Sequence, residues 1–318
     1  MVNAQVIKKL NFKKTYNWKH FAASLFLILG IMATIAVLIF DGKRLLEYSF
    51  HLNPSLVVFS IIIGFSGLIF IVPAWHLILA RLGKSISYWD DLRIYCYSFI
   101  GYAIPGGIWS FVGRAALYER EGVSAVQVTV AGVIEMMLIG VAGLIVYGGT
   151  LFFHESEQLW QRPEIAIGIA IIALIIIQPP IFNYICQFIL QRFKQTTEYT
   201  ISLSYTDLAI ILSLEIVVII IGGTAIYFLL KSFVATTSDL YITMVRVWAV
   251  GVAAGHLLFW FPGKPILRDG AIVLTLSQAI TPSLALIFVI IVRLWTIVSA
   301  IIAFAIAWLI LRPKSQYL

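Results

Sequence analysis

The chain has 318 residues, of which 61% are hydrophobic and only 12% are charged. A soluble domain is about 45–50% apolar and about 25% charged, so this composition excludes a water-soluble enzyme and indicates a protein dissolved in lipid. The net charge of +7 does not indicate nucleic-acid binding, because the basic residues lie at the ends of apolar segments, where orientation in a membrane accounts for them.

Six segments are long and apolar enough to cross a membrane, since about 20 apolar residues cover the hydrocarbon layer as a helix. They are residues 21–40, 56–80, 124–151, 165–190, 208–230 and 283–311. The first follows a lysine-rich stretch and lacks a small-residue cleavage site, so we expect a retained helix rather than a signal peptide. In the fourth, Gln178-Pro179-Pro180 is expected to kink the helix, because proline removes a backbone hydrogen bond.

Two shorter apolar segments each end at a proline that is followed by glycine. Residues 92–104 precede Pro105, Gly106 and Gly107, and residues 247–261 precede Pro262 and Gly263. The first of these segments is too short to cross the bilayer but suits one limb of a re-entrant hairpin. We therefore expect an all-α polytopic membrane protein with six full spans and two re-entrant hairpins. Eight crossings are the alternative, because the second segment is borderline in length.

The distribution of basic residues predicts the orientation, because cytoplasmic loops of membrane proteins carry an excess of lysine and arginine. The lysines before residue 21 and the basic residues at 312–314 place both termini in the cytoplasm, and the acidic loop 154–164 outside. If residues 92–104 crossed fully, this loop would face the cytoplasm, against that rule. We expect a multi-pass protein of the inner (plasma) membrane of the cell.

A break, a short segment and a charged apolar span occur twice in the same order. In the first copy the break precedes Arg114 and a long segment that carries Glu135; in the second it precedes Arg268 and a segment that carries Arg293. Transporters build binding sites at the membrane midplane from such duplicated halves. We therefore predict one membrane domain, residues 1–318, that contains an inverted repeat. Its parts are an extra helix at 21–40, repeat 1 at about 54–151, a linking helix at 165–190 and repeat 2 at about 206–311.

The half-helix that follows each break is a candidate binding site for an anion. Its first N–H groups have no partner within the helix and form a positive dipole end that holds phosphate or carboxylate. Arg114 and Arg268 would strengthen such sites, because a guanidinium group binds phosphate through two hydrogen bonds. The alternative is a turn at the membrane surface, with the arginine extending to lipid head groups.

Glu135 and Arg293 each lie near the middle of a long apolar segment. A charge at that depth costs at least about 2.5–3.5 kcal/mol, so such residues face a partner or a water-filled cavity. Their equivalent places in the two copies predict an ion pair between the copies, near a pseudo-two-fold axis. This pair serves either transport or structure alone.

Two further acidic residues belong to the candidate site. Glu215 is central in its segment and has no equivalent in the first copy, so it either carries a proton or pairs with Arg246 or Arg268. Asp269 is expected to neutralise Arg268. The complete set of predicted binding residues is Pro105, Gly106, Gly107, Arg114, Glu135, Glu215, Pro262, Gly263, Arg268, Asp269 and Arg293.

The sequence lacks the motifs of several other kinds of chemistry. Cys96 and Cys186 lie in apolar surroundings without a CxxC spacing or a nearby histidine, so we expect free thiols and no metal site. No P-loop, His-Glu-x-x-His or Gly-x-Ser-x-Gly motif occurs. We therefore expect a protein that is not an enzyme and needs no cofactor.

Three groups of residues together resemble the flippase-like membrane family, which includes the N-terminal flippase domain of bacterial lysylphosphatidylglycerol synthases. They are Trp75 to Gly83; Pro105-Gly106-Gly107 with Arg114 and Glu135; and Pro262-Gly263 with Arg268-Asp269-Gly270 and Arg293. The resemblance runs from about residue 20 to residue 311. It implies a polytopic membrane fold and the movement of lipid between leaflets, but not lysyl transfer, which belongs to a separate domain of the synthases.

The sequence departs from the family's pattern at three places. Lys264-Pro265 stands where the second motif has a glycine step, with Asp269 in place of glutamate. Met136 stands where an arginine commonly follows the glutamate, and the first motif lacks its usual Gly-[Glu/Asp] before Arg114. These changes leave the fold expectation intact and leave the substrate open.

Three functions agree with these features. The first is a translocator for a phosphate-containing lipid, either a phospholipid or a polyprenyl-phosphate-linked sugar. The second is an integral membrane transferase that acts on lipid-linked substrates. The third is a non-catalytic membrane partner of a glycosyltransferase. The partners to expect are accordingly a membrane lipid and a lipid-modifying enzyme or glycosyltransferase, with no nucleic acid.

Overall fold

A computed structural model of the protein describes residues 52–83, 85–103, 109–153, 163–192, 203–234, 238, 240–257 and 264–311, and these residues form helices and no strands. The helices are α1 Pro54–Ser66, α2 Leu68–Arg81, α3 Tyr88–Phe99, α4 Trp109–Arg120, α5 Ala125–Leu151, α6 Pro163–Ile176, α7 Pro179–Arg192, α8 Tyr205–Lys231, α9 Leu240–Leu257, α10 Lys264–Leu276 and α11 Pro282–Ile310. A 3-10 turn, Ile100–Ala103, continues α3.

Within the described residues, five helical segments are long and apolar enough to cross a membrane. They are Pro54–Arg81, which joins α1 and α2, and the helices Ala125–Leu151, Tyr205–Lys231, Leu240–Leu257 and Pro282–Ile310. The chain is therefore an all-α polytopic membrane protein, as its composition predicted. The predicted span at residues 21–40 lies outside the described residues.

Two segments differ in detail from the spans that we expected. The apolar segment 165–190 forms two helices, α6 and α7, separated at Gln178, where the predicted kink lies. The second short segment begins at Leu240 rather than at residue 247, and α9 is long enough to cross a membrane. The prediction stopped at the charge of Arg246. The helix continues through this residue because its guanidinium donates to the carbonyl of Thr150, at 2.9 Å.

Helices α5 and α8 begin side by side at one end of the molecule, which we call the near end. Nη2 of Arg81, the last residue of α2, lies 2.7 Å from Oδ1 of Asp207 in the first turn of α8. Nε2 of Gln127, in the first turn of α5, donates to the carbonyl of Leu79 in α2, at 3.4 Å. Because the first turns of α5 and α8 both contact the end of α2, the two long helices run in the same direction.

The opposite end, which we call the far end, contains the start of α1, the ends of α5 and α8, and the start of α9. The backbone N–H of Asn53 donates to the carbonyl of Ser232 at 2.8 Å, which joins the start of α1 to the end of α8. Arg246 of α9 contacts Thr150 in the last turn of α5. Helix α9 therefore runs antiparallel to α5 from the far end.

Helices α3 and α4 form a hairpin. Its open end, where α3 begins and α4 ends, lies at the near end. Arg93 in α3 forms an ion pair with Glu121, just after α4, at 2.7 Å. Near the tip, a Cβ atom added to Gly101 would lie 2.3 Å from the backbone nitrogen of Ser110, so the two limbs touch backbone to backbone there. Only glycine permits this approach. The residues of the tip itself, 104–108, lie outside the described residues.

Helices α9 and α10 form a second hairpin, which extends from the far end. Ile272 of α10 packs against Gly251 of α9. The last residue of α9, Leu257, packs against Gly140, near the middle of α5. The hairpin limb therefore extends from the far end to about half the length of α5.

Helices α5 and α11 each pack against the hairpin of the other half of the chain. Helix α5 makes its most extensive packing with α9, while α11 packs against α3 and the 3-10 turn. The rings of Tyr97 in α3 and Phe304 in α11 lie 5.1 Å apart between centroids. The largest hydrophobic core lies between α2, α5 and α8. The predicted repeat boundaries stay a prediction.

Candidate functional site

A buried ion pair joins Arg114 of α4 to Glu135 of α5. Nη1 of Arg114 donates to Oε2 of Glu135 at 2.9 Å, and the hydroxyl of Tyr95 donates to Oε1 at 2.9 Å. Nε of Arg114 donates to the hydroxyl of Ser98 at 3.3 Å. The side chains of Arg114 and Glu135 are only 1% and 7% exposed. Both carboxylate oxygens have a donor, which is the condition for a charge to be tolerated in an apolar interior.

Aromatic rings surround the guanidinium group of Arg114. Its Cζ atom lies 4.0 Å from the ring centre of Tyr95, 4.4 Å from that of Trp75 and 5.7 Å from that of Phe111. The electron-rich faces of these rings attract a cation, and this attraction is stronger where water is excluded. The rings therefore compensate part of the lost hydration of Arg114.

A second set of hydrogen bonds extends from this ion pair toward the surface. Nε1 of Trp75 donates to the hydroxyl of Tyr118 at 2.6 Å, and this hydroxyl donates to Oδ1 of Asp91. Oδ2 of Asp91 lies 2.5 Å from Nδ1 of His76, whose side chain is 35% exposed. Burial raises the pKa of the Asp91 carboxyl, and the hydrogen bonds with Tyr118 and His76 lower it in part. His76 thus belongs to the network and is not only an interfacial side chain.

In the second half, Arg293 of α11 forms an ion pair with Asp269 of α10. Nε of Arg293 donates to Oδ2 of Asp269 at 2.5 Å. Nε of Arg268 lies 3.3 Å from Oδ1 of the same carboxylate, so Asp269 neutralises Arg268, as predicted, and Arg293 as well. In contrast to the first half, this cluster is open, because the side chain of Arg293 is 51% exposed.

The predicted ion pair between Glu135 and Arg293 is wrong. Each residue pairs within its own half, Glu135 with Arg114 and Arg293 with Asp269. The physical reason is that the preceding helix in the chain, α4 for Glu135 and α10 for Arg293, already supplies an opposite charge at the same depth. The two pairs lie at corresponding helix contacts, α4 with α5 and α10 with α11, and their charges are exchanged.

Glu215 of α8 has a different environment from the other charged residues of the site. It is fully buried, and within the part of the chain that the structure describes no group donates to either of its carboxyl oxygens. The predicted pairing with Arg246 or Arg268 is wrong, since Arg246 contacts Thr150 and Arg268 contacts Asp269. A carboxyl group in such surroundings is accommodated most readily in its neutral, protonated form.

Comparison with known families decides what kind of protein carries this arrangement. The model of the family described as the lysylphosphatidylglycerol synthase TM region matches residues 21–310. The chain belongs to this family. The resemblance drawn from the short motifs is therefore confirmed over nearly the whole chain. A comparison with individual curated proteins gave no match.

In this member of the lysylphosphatidylglycerol synthase TM family, the two predicted glycine breaks lie outside the part of the chain that the structure describes. Pro105, Gly106, Gly107, Pro262 and Gly263 lie outside the described residues, so the anion sites that we expected there stay a prediction. The half-helices that follow are present as α4 and α10. Arg114 and Arg268, which were expected to strengthen those sites, have unlike surroundings: Arg114 is sealed, and Arg268 is partly exposed beside α9.

Sequence reasoning missed several members of the polar network in the first half of the chain. Asp91, Tyr95 and Ser98 recur at intervals of four and three residues, which places them on one face of a helix. Their side chains are buried, and all three belong to the network around Arg114. A polar stripe of this kind in a short membrane helix was the available signal. The other missed members are Trp75 and Tyr118.

Proposed function

We propose that the protein moves a phosphate-containing lipid, either a phospholipid or a polyprenyl-phosphate-linked sugar, between the two leaflets of the membrane. It would act as a transporter and not as an enzyme. Membership in a family named for the membrane region of a lipid synthase supports a lipid-related function. The observation that carries the specific proposal is the exposure of the Arg293–Asp269 pair.

The position of Arg293 along its helix makes this exposure informative. Arg293 is the twelfth residue of the 29-residue helix α11, which places it about 16 Å from the start of the helix. That depth is near the middle of a hydrocarbon layer of about 30 Å. A charged group facing lipid tails at this depth is costly, so the exposed face of Arg293 requires a polar occupant. A lipid head group that enters from the side, with its tails left in the bilayer, meets this requirement.

The chemistry of the cluster favours phosphate as the occupant. Two guanidinium groups, Arg268 and Arg293, share the single carboxylate of Asp269, which leaves an excess of one positive charge. An anionic phosphate would balance this charge, and arginine binds phosphate with two parallel hydrogen bonds. The low dielectric of the surroundings strengthens the attraction.

The arrangement of the two hairpins supports an alternating mechanism. The open end of the first hairpin lies at the near end, and that of the second lies at the far end. The Arg114–Glu135 pair of the first half is buried, whereas the Arg293–Asp269 pair of the second half is exposed. Inverted repeats of a transporter exchange such states when access passes from one side of the membrane to the other. We propose that both hairpins are re-entrant, and that opening of the Arg114–Glu135 contact presents the head group to the other leaflet.

The orientation follows from the charges at the near end. Arg81 and Arg120 are the last residues of α2 and α4, and Arg93 lies there through its ion pair with Glu121. The positive-inside rule makes this the cytoplasmic end, with the protein in the inner (plasma) membrane of the cell and both termini in the cytoplasm.

The deciding experiment uses purified full-length protein in liposomes with a fluorescent lipid whose leaflet is read by chemical quenching. Phosphatidylglycerol, a polyprenyl phosphate and a head-group-free diacylglycerol serve as probes. We expect protein-dependent movement of a phosphate lipid and none of the diacylglycerol. Arg293→Ala should lower the rate, whereas Arg120→Ala, at an exposed arginine outside the cluster, should not.

Other outcomes of the same assay distinguish the alternatives. A lipid that is covalently changed after incubation would indicate that the protein is a membrane transferase and not a transporter. If thermal unfolding shows that the protein is folded, and the lipid neither moves nor changes covalently, the function to test is that of a non-catalytic partner of a glycosyltransferase.

A further inference from the structure

The carboxyl group of Glu215 lies in the largest apolar core of the protein. Ile211 and Ile219, one helical turn before and after it on the same face of α8, belong to the hydrophobic core formed with α2 and α5. Glu215 is fully buried, and neither of its oxygens has a donor among the described residues. A buried carboxyl group without a hydrogen-bond donor costs stability, which an apolar side chain of similar size would not.

Glu215 lies at the same depth as Glu135. Helices α5 and α8 each have 27 residues, begin together at the near end and pack against one another. Glu135 and Glu215 are each the eleventh residue of their helix, about 15 Å from its start. Glu135 acts on Glu215 as a neighbouring negative charge. The two glutamates therefore form one acidic site beside Arg114.

The other charged or histidine side chains on the helices that pack against α8 have partners elsewhere, and the remaining ionisable groups of these helices are the tyrosines Tyr147 and Tyr241. Helix α1 carries none. On the remaining helices, the charged or histidine side chains have the following partners: His76 with Asp91, Arg81 with Asp207, Arg246 with Thr150, His256 with the carbonyl of Val252, and Arg293 with Asp269. Glu135 is consequently the group whose charge state is tied to that of Glu215.

We propose that Glu135 and Glu215 form a proton-binding site that couples lipid movement to the movement of protons. This inference rests on the function proposed above. With Arg114 on Glu135, the site holds one proton, on Glu215, and its net charge is zero. When a head-group phosphate draws Arg114 away, Glu135 loses its counter-charge and takes one proton from water through a new O–H bond. The positive charge of Arg114 is then balanced by the phosphate.

The reverse steps complete the cycle. When the lipid leaves, Arg114 returns to Glu135, the O–H bond of that carboxyl group breaks and one proton is released to water. Lipid and proton are therefore bound in the same state and travel in the same direction. If uptake and release occur on opposite sides of the membrane, one proton accompanies each lipid.

The proton on Glu215 can be detected without any transport assay. Infrared difference spectra of the full-length protein in lipid nanodiscs, recorded across a pH change, report the carbonyl stretch of protonated carboxyl groups. We expect a band at neutral pH that Glu215→Gln removes and that Glu119→Gln, at an exposed glutamate of α4, leaves unchanged. If Glu215→Gln is shown by thermal unfolding to be folded and its spectrum still contains every band, Glu215 is ionised in the wild type. That result would overturn the proposal.

Coupling is tested in liposomes with an imposed pH gradient and a fluorescent phosphatidylglycerol. One proton per lipid should shift the distribution of the lipid between leaflets about tenfold for each pH unit, and Glu135→Gln should abolish the shift. Wild-type movement that does not respond to the gradient would overturn the coupling and leave the proposed function standing. Absence of movement in the wild type would overturn both, whereas the infrared band decides the protonation of Glu215 by itself.

Discussion

Arg293 on α11 forms an ion pair with Asp269 on α10, and this pair repeats the contact between α4 and α5 with the two charges exchanged. In the first half the shorter helix supplies the cation, and in the second half it supplies the anion. The first pair is sealed by aromatic rings, and the second is half exposed. Under the proposed function, these unequal states would correspond to a transport pathway with one side closed.

Removing the charge of Glu135 should destabilise the protein strongly. Glu135→Gln leaves the guanidinium of Arg114 buried without a counter-charge, and breaking a buried pair from one side costs about 3–5 kcal/mol. Thermal unfolding in detergent measures the effect, with the exposed Glu119→Gln as the matched control. Equal stability of the two variants would contradict a structural role for this pair.

Replacing Arg293 should affect transport more than stability. Its side chain is 51% exposed, and without it Asp269 keeps Arg268 as a counter-charge, so the change leaves no carboxylate unpaired. We expect Arg293→Ala to unfold close to the wild-type temperature but to move lipid more slowly. Arg293→Lys should restore part of the rate, because lysine keeps the charge and loses the planar fork. A wild-type rate in Arg293→Ala would make this arginine a membrane anchor.

Tyr118 should stabilise the hairpin through its hydroxyl group. Tyr118→Phe leaves the buried Trp75 N–H without an acceptor and Oδ1 of Asp91 without its donor, at a cost of about 1–3 kcal/mol. The control is Tyr205→Phe, which removes an exposed hydrogen bond to Gln178 and should change the unfolding temperature little. Similar shifts in both variants would mean that burial of the network does not matter.

A methyl group at Gly101 should force the limbs of the first hairpin apart. The added Cβ would lie 2.3 Å from the backbone nitrogen of Ser110, and a rigid backbone cannot yield as a side-chain tip can. Overpacking of this kind costs about 1–3 kcal/mol or more. Gly113→Ala, in the same hairpin but with nothing within 4 Å of the new atom, is the control. Thermal unfolding of both variants tests the backbone contact.

Labelling of introduced cysteines should establish the orientation. In a background without Cys96 and Cys186, Phe153→Cys at the far end should react with an impermeant reagent added outside intact cells. Arg120→Cys at the near end should react only after the membrane is opened. Both positions are exposed and flank α5. The opposite labelling pattern would mean that the near end faces outside. External labelling of both cysteines would exclude a single crossing of the membrane by α5.

The sequence predicted the long helices well, because an apolar run of sufficient length has few alternatives to a membrane helix. It also identified Arg114, Glu135, Asp269 and Arg293 as members of the site, since charges within such runs are costly. It could not identify their partners. The rule that a buried charge needs a counter-charge does not say which one, and packing between adjacent helices decided it.

Two other differences have the same origin. The second short segment was expected to span residues 247–261, whereas α9 begins at Leu240 and includes Arg246. The hydroxyl and carbonyl of Thr150, distant in sequence, satisfy that charge within the helix. Glu215 was expected to find a basic partner, yet it has none among the described residues, and protonation is the other way in which such a group is accommodated.

The packing of α5 on α9 and of α11 on α3 also bears on how such a chain can arise. A half-length chain would expose both the face of its long helix and the face of its hairpin. On the proposed repeat, a second copy inserted upside down would cover both faces at once. On that repeat, the fold would have the form of an antiparallel homodimer whose two subunits have been fused, and the exchanged charges of the two ion pairs would mark where the copies have diverged.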